Sequence, residues 1–179
     1  MVEGVGDKEF LNKLLNLDIL RLKYKVELVN AKGKNNILEK FKITKQTHSN
    51  SNVYIFIDLD GKGNKRIQEF QTQLKQKGLK EFLGSQNIFF VNPIIEYFFL
   101  LSKKFSNPKI VSKDEYKPFI KECYGIDEYC CSLDQVQEII KKISSDNFLT
   151  FLDNIKLINI EPNDLPSSNI RLLIDILQR

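Results

Sequence analysis

Two short apolar runs constrain the fold of this chain more than any other feature of its sequence. Residues 53–57 and 88–91 are β-branched or aromatic throughout, which is typical of parallel strands that are covered on both faces. Residues 26–29 form a third, weaker run that we also interpret as a strand. Helical patterns separate these runs, and alternating strands and helices predict an α/β fold with an open parallel sheet flanked by helices.

Helices are predicted wherever apolar residues recur every three to four positions. Gly78 is placed to cap the C-terminus of one of them. Asn92 and Pro93 offer an N-cap and a first-turn proline for another, which runs to Lys104. The helices predicted before Gly78 cover about 7–20, 34–45 and 64–77.

Beyond about residue 107 the strand signals fade and only helical patterns remain. Ser132 begins a capping box for one helix, and Asp146 or Asn147 could cap a second. Ser168 could cap a last helix near the C-terminus. The predicted division is an α/β domain at 1–107 and a helical extension at 108–179 that packs on it.

Charge is distributed unevenly along the chain. The 27 basic and 23 acidic residues give a net charge of +4. Residues 21–46 hold eight Lys or Arg against two Glu, a local charge of +6, whereas residues 127–179 carry a net charge of −4. This asymmetry suits a surface that faces a polyanion, although charge alone favours a solvated, lysine-rich face.

Several classes of protein are excluded by composition. The longest apolar runs have five residues, whereas about 20 are needed to span a bilayer, and the first residues lack the pattern of a signal peptide. Cys123, Cys130 and Cys131 lack paired C-x-x-C spacing and His48 is the only histidine, which does not suit a zinc site. We expect a soluble, cytoplasmic protein with reduced thiols and no membrane partner.

Acidic residues follow two of the predicted strands. Glu3, with Asp7 four residues later, precedes the first helix, while Asp58 and Asp60 follow the most apolar strand. Ligands of open α/β sheets bind at the carboxyl ends of the strands. Both pairs are therefore expected at the functional edge of the sheet. Gly4 after Glu3, and Gly61 and Gly63 after Asp60, allow tight turns into the following helices.

Carboxylates that converge on one place repel one another unless a cation neutralises them. Oxygen ligands without His or Cys favour Mg²⁺ or Mn²⁺, which would bind the acidic side chains together with substrate phosphates. The alternative is structural. Glu3 and Asp7 could be first-turn acids that the helix dipole favours, and Asp60 with Gly61 could be an ordinary turn.

The residues of both acidic pairs also resemble known motifs. Residues 2–7, Val-Glu-Gly-Val-Gly-Asp, look like the V-E-G-x-x-D motif of the Toprim domain, and Asp58-Leu59-Asp60 looks like its D-x-D motif. Residues 92–98 are similar to the N-P-x-x-E-aromatic segment of RloB-like proteins from prokaryotic defence loci. The resemblance covers about residues 1–105 and implies a Toprim-like fold of the kind found in topoisomerases, primases and OLD-type nucleases.

The resemblance implies roles for particular residues. Glu3, Asp58 and Asp60 would be the catalytic, metal-binding set, with Asp7 as a further metal-site residue that could instead hold the turn. Glu96 would be structural or would support the metal site. The basic residues expected to contact nucleic acid are Lys62, Lys65, Arg66, Lys32 and Lys34.

The resulting hypothesis is a Mg²⁺- or Mn²⁺-dependent nuclease that cleaves DNA or RNA in phage defence, with a regulatory protein as a further expected partner. Two alternatives remain open. One is a non-catalytic Toprim-like binding module in a larger assembly, since a fold does not imply catalysis. The other is a haloacid dehalogenase-like phosphatase with Asp58 as nucleophile, although Lys62 replaces the threonine of that motif.

Overall fold

The computed structural model describes residues 1–79, 87–104 and 112–179. Strands β1 (Ile55–Asp58) and β2 (Ile88–Asn92) are parallel, and β3 (Ser167–Ser168) pairs with β2 in the antiparallel direction. The helices within the described residues are α1 (Val5–Leu15), α2 (Ile37–Thr47), α3 (Asn64–Gln76), α4 (Glu96–Leu101), α5 (Lys113–Tyr124), α6 (Leu133–Lys142), α7 (Ser145–Asn154) and α8 (Ile170–Gln178).

The two predicted apolar strands are confirmed as β1 and β2. They pair in register from Ile55 with Ile88 to Asp58 with Val91. Alternate residues of both strands enter two different apolar clusters, one against α2 and α3 and one against α1, α4 and the C-terminal helices. The strands are thus covered on both faces, which explains why they are apolar at every position.

Val2 adds a one-residue parallel strand on the other side of β1. It forms isolated bridges with Phe56 of β1 and with Asn30. Its backbone N–H donates to Val29 O at 2.9 Å, and Phe56 N–H donates to Met1 O at 2.8 Å. This pairing places Glu3, the next residue, at the same sheet edge as the carboxyl end of β1.

Two expectations about the sheet are wrong. Residues 26–29 do not form a strand: the bridge beside them pairs Asn30 with Val2, and this isolated bridge does not extend into a ladder. The sheet is also mixed and not wholly parallel, because β3 adds an antiparallel edge to β2. A strand of two serines carries no apolar alternation that a sequence pattern could detect.

The helix predictions are correct in place but differ at several ends. Gly78 has a φ of 74° just after α3, as expected of a C-terminal glycine. Asn92 belongs to β2 and α4 begins only at Glu96. Ser132 caps α6 as predicted, whereas Ser144 caps α7 and Asn169 precedes α8. Helix α5 was not predicted.

The C-terminal helices share one apolar core with the first part of the chain. Phe10 of α1 lies at its centre, with ring centroids 5.2–5.8 Å from Phe98 and Phe99 of α4 and from Phe148 and Phe151 of α7. The boundary predicted at residue 107 lies outside the described residues. Within them, no helix combines the length and the apolar composition needed to cross a bilayer.

Candidate acidic site at the strand ends

The turn after β1 has a tight conformation at Asp60 and Gly61. Asp60 and Gly61 both have positive φ, at 52° and 73°. Gly63, with a φ of 55°, leaves no room for a side chain, because a Cβ there would lie 2.7 Å from Asn163 Oδ1. The glycines after the second acidic pair are therefore required for the turn, as the sequence predicted.

Asn92 holds this turn against the C-terminal part of the chain. Its Oδ1 accepts from Gly61 N–H at 3.1 Å, and its Nδ2 donates to the carbonyl oxygens of Pro162 and Asp164, both at 2.9 Å. The side chain predicted as a helix cap thus connects three segments that are distant in sequence. Nothing in the local pattern around residue 92 indicates this role.

The first acidic pair lies at the N-terminus of α1. Asp7 is buried, and its Oδ2 accepts from Gly4 N–H at 2.7 Å, so it holds the turn that begins the helix. Glu3 is the residue after the Val2 bridge, and its side chain is 20% exposed. Arg66 of α3 lies beside it, with a guanidinium nitrogen 3.9 Å from Glu3 Oε2.

The charges of the acidic residues affect one another's pKa. Burial raises the pKa of Glu3 to about 7, Arg66 and Lys34 lower it, and Asp7 and Asp60 raise it. The pKa of Asp58 is raised well above its usual range, chiefly by burial and then by the charges of four other carboxylates. Those four, in order of effect, are Asp7, Glu96, Glu3 and Asp60.

Three of the acidic residues each bury a carboxylate oxygen that lacks a hydrogen-bond partner among the described residues. Within the described residues, Glu3 Oε2, Asp58 Oδ1 and Glu96 Oε2 are buried and have no hydrogen-bond partner. Buried charged oxygens are normally paired or coordinated. The donor set, oxygen atoms only, suits Mg²⁺ or Mn²⁺.

The acidic side chains do not stand in the geometry of a formed metal site. Across residues 1–79, 87–104 and 112–179, no three His, Cys, Asp or Glu side chains are grouped so that they could hold one metal ion. Several of the acids turn toward a partner of their own. Glu3 faces Arg66, Asp60 lies 4.0 Å from Lys34 Nζ, and Glu96 accepts from Tyr129 Oη at 2.9 Å.

The predicted basic residues divide into two groups. Lys32, Lys34, Lys62 and Lys65 are exposed near the turn after β1 or on the segment that follows Asn30. Arg66 is only 7% exposed and its Nε has no hydrogen-bond partner in the described part of the chain. It therefore faces the acidic site and not the open surface.

Two residues near the site were missed by sequence reasoning. Tyr116 of α5 and Tyr129, between α5 and α6, are fully buried close to Glu96. Tyrosines in a helical pattern look like ordinary core residues, and the motif resemblance ends at about residue 105. No signal in the sequence connects them with the acidic pairs.

Comparison with known proteins places the chain in a family without assigning an activity. The chain belongs to the family described as Protein of unknown function (DUF3226), whose model matches residues 1–156. The matched span runs past the predicted boundary at 107 and ends after α7. No curated protein and no solved structure matches the chain.

Proposed function

We propose that this DUF3226 protein is a Mg²⁺- or Mn²⁺-dependent nuclease, a Toprim-like enzyme that cleaves a phosphodiester bond of DNA or RNA in a prokaryotic defence system. The observation that carries the proposal is that Glu3, next to the Val2–Phe56 bridge, and Asp58, at the end of β1, each bury an oxygen without a hydrogen-bond partner among the described residues. The charges of Asp7, Glu96, Glu3 and Asp60 raise the pKa of Asp58. A cytoplasmic location is part of the proposal, in keeping with three free thiols.

The residues that would hold the cation are Glu3, Asp58 and Asp60. When bound there, a divalent cation would polarise a phosphoryl oxygen and lower the pKa of a bound water. Asp7 would keep the α1 turn in place through its bond to Gly4, so that Glu3 stays beside β1. Because Asp58 Oδ1 and Glu3 Oε2 lack hydrogen-bond partners among the described residues, they support a cation site.

Mutual repulsion explains why Glu3 and Asp60 each lie beside a basic residue. Like charges in a partly buried place are stabilised by any local positive or donor group. Arg66 and Lys34 supply such groups to Glu3 and Asp60. A cation held by the carboxylates would neutralise the negative charge that Arg66 and Lys34 now balance in part.

The basic residues around the site would receive the nucleic acid. Lys32, Lys34, Lys62 and Lys65 are exposed around the acidic edge and would contact backbone phosphates. Arg66, held beside Glu3, could pair with a phosphate next to the acidic cluster. Such contacts carry no base specificity, which agrees with a site built from charge alone.

The test is cleavage by the full chain. Supercoiled and linear DNA, single-stranded DNA and structured RNA are incubated with the protein in Mg²⁺, Mn²⁺ or EDTA. Cleavage in either metal but not in EDTA is expected, and it should be lost in Asp58→Asn and Glu3→Gln. The matched controls are Asp146→Asn and Glu39→Gln, which change exposed acids outside the site.

The outcomes separate the three hypotheses. Metal-dependent cleavage that fails only in the site variants supports the nuclease. Nucleic-acid binding without cleavage in any metal would contradict it and support a binding module. Hydrolysis of phosphate monoesters, with a trapped phosphoryl group on Asp58, would instead support the phosphatase.

A further inference from the structure

Two buried tyrosines of the helical extension, Tyr116 and Tyr129, accompany Glu96 at the acidic site. Glu96 is 1% exposed and begins α4, whose other residues are aromatic or leucine. Tyr116 and Tyr129 are 0% exposed and come from α5 and from the segment that follows it. A carboxylate in such apolar surroundings needs hydrogen-bond donors, because its burial is otherwise costly.

Some polar atoms around Glu96 lack a hydrogen-bond partner, and both donors and acceptors are among them. Tyr129 Oη donates to Glu96 Oε1 at 2.9 Å. In the described part of the chain, Glu96 Oε2, Asp58 Oδ1 and the hydroxyl of Tyr116 are all buried without a partner. Two acceptor oxygens therefore lack a donor, and one hydroxyl donor lacks an acceptor.

The charges of both carboxylates act on the Tyr116 hydroxyl. Burial raises the pKa of its hydroxyl most, and the charges of Tyr97, Glu96 and Asp58 raise it further. A neighbouring buried donor and acceptor normally pair, either directly or through one ordered water. The Tyr116 hydroxyl has both carboxylates within electrostatic reach and no competing partner among the described residues.

We propose that Tyr116 and Tyr129 are positioning residues of the acidic site: Tyr129 fixes Glu96 through its hydrogen bond, and one ordered water connects the Tyr116 hydroxyl with the unpartnered oxygens of Asp58 and Glu96. Neutral donors hold the two carboxylates in place without cancelling their charge, so the pair keeps its attraction for a cation. The inference rests on the proposed function, since it concerns the same site.

The first test compares Mn²⁺ affinity, measured by calorimetry, in three variants that each lose one buried hydroxyl. Tyr116→Phe and Tyr129→Phe should weaken binding about tenfold, as is typical when a partner of a metal ligand is removed. Tyr124→Phe is the matched control, because its hydroxyl is buried in the same extension but donates to Phe99 O at 2.6 Å. It should change affinity less than twofold. Equal changes in all three variants would overturn the proposal.

The second test needs no metal. The free energy of unfolding is measured for Tyr116→Phe, Glu96→Gln and the double variant, and the cycle is repeated with Tyr124→Phe in place of Tyr116→Phe. The proposal is supported if the changes in free energy of unfolding do not add for Tyr116→Phe with Glu96→Gln but do add for Tyr124→Phe with Glu96→Gln. Additive effects in both cycles overturn it.

The two tests distinguish failure of the inference from failure of the proposed function. If wild-type protein binds Mn²⁺ but cuts no nucleic acid, the nuclease proposal fails while the affinity comparison still decides the role of the tyrosines. If wild-type protein binds no Mn²⁺, the metal proposal fails. The two double-variant cycles then decide the role of the tyrosines.

Discussion

The inner and outer halves of the acidic site stabilise their carboxylates by different means. In the outer half, Glu3 lies beside Arg66, and Asp60 lies 4.0 Å from Lys34. In the inner half, Glu96 is held by the neutral hydroxyl of Tyr129, and Asp58 is surrounded by other acids. Positive charge on the protein compensates the outer acids, whereas the hydrogen bond to Glu96 in the inner half comes from a neutral hydroxyl.

This difference indicates where a cation would be stabilised most. Arg66 and Lys34 already satisfy part of the negative charge in the outer half, so a metal there competes with them. In the inner half Asp58 is buried and four acids raise its pKa, so a cation would relieve the largest repulsion next to it. Asp58 should therefore contribute most to the affinity for a metal ion, and the residues of the outer half should change that affinity less.

The largest expected effect is on cleavage. Asp58→Asn removes the most strongly coupled carboxylate, and we expect a loss of activity of about 10²–10⁴-fold, the range for a group that acts directly in the chemistry. Lys34→Gln changes only the exposed outer half and should alter the rate less than tenfold, with a weaker salt dependence. Rates are measured with the best substrate in Mn²⁺ at two salt concentrations. Equal losses of cleavage rate in both variants would contradict the proposed difference between the inner and outer halves of the site.

A substitution in the turn after β1 tests how rigidly the outer half is built. Gly63→Ala places a Cβ against Asn163 and the Pro162 carbonyl at a φ of 55°, and should lower the free energy of unfolding by about 3 kcal/mol. Gly78→Ala has a similar φ of 74° but nothing within 4 Å of its Cβ, and should cost about 1 kcal/mol. Urea unfolding measures both. Similar costs would show that the contact with residues 162–163 is not what requires glycine.

Stability without metal should depend on pH through Glu3. Its pKa is raised from 4.5 to about 7 in the folded protein, so the folded state binds the proton more tightly than the unfolded state. The resulting stability is fully present below pH 4.5 and is lost as pH rises toward 7, by on the order of 2 kcal/mol. Glu3→Gln should reduce the decline and leave the part that comes from Asp58, whose pKa is also raised, whereas the control Glu39→Gln should retain the whole decline. Thermal melts between pH 4.5 and 8 in EDTA provide the measurement, and an unchanged decline in Glu3→Gln would contradict the assignment.

The smallest expected effect is a gain in stability. At pH 8 without metal, Asp58→Asn should raise the free energy of unfolding by about 1 kcal/mol, because it removes one charge from a crowded, buried cluster. Asp146→Asn, at an exposed position, should change it by less than about 0.5 kcal/mol. Adding Mn²⁺ should stabilise wild type and the Asp146 variant but not Asp58→Asn. A destabilised Asp58→Asn would mean that this carboxylate is needed for folding and not for a ligand.

Local sequence patterns predicted much of the fold. Strands β1 and β2 and the helix that begins after Ser132 follow from the spacing of apolar residues and from capping, which depend on nearby residues. The missing strand at 26–29 and the antiparallel β3 could not be predicted in this way. Both depend on which distant segment lies alongside, and a single bridging residue at Val2 decided the first case.

The sequence by itself determined which residue types stand after the strands, and therefore that the carboxyl edge of the sheet is acidic. The tertiary structure decided how that acidity is compensated, because Arg66, Lys34 and Tyr129 reach their partners from segments distant in the chain. Hydrogen bonds and ion pairs act over a few ångströms of space, whereas periodicity reports only on neighbours along the chain. The division into a charged outer half and a neutral inner half is for that reason a property of the folded protein alone.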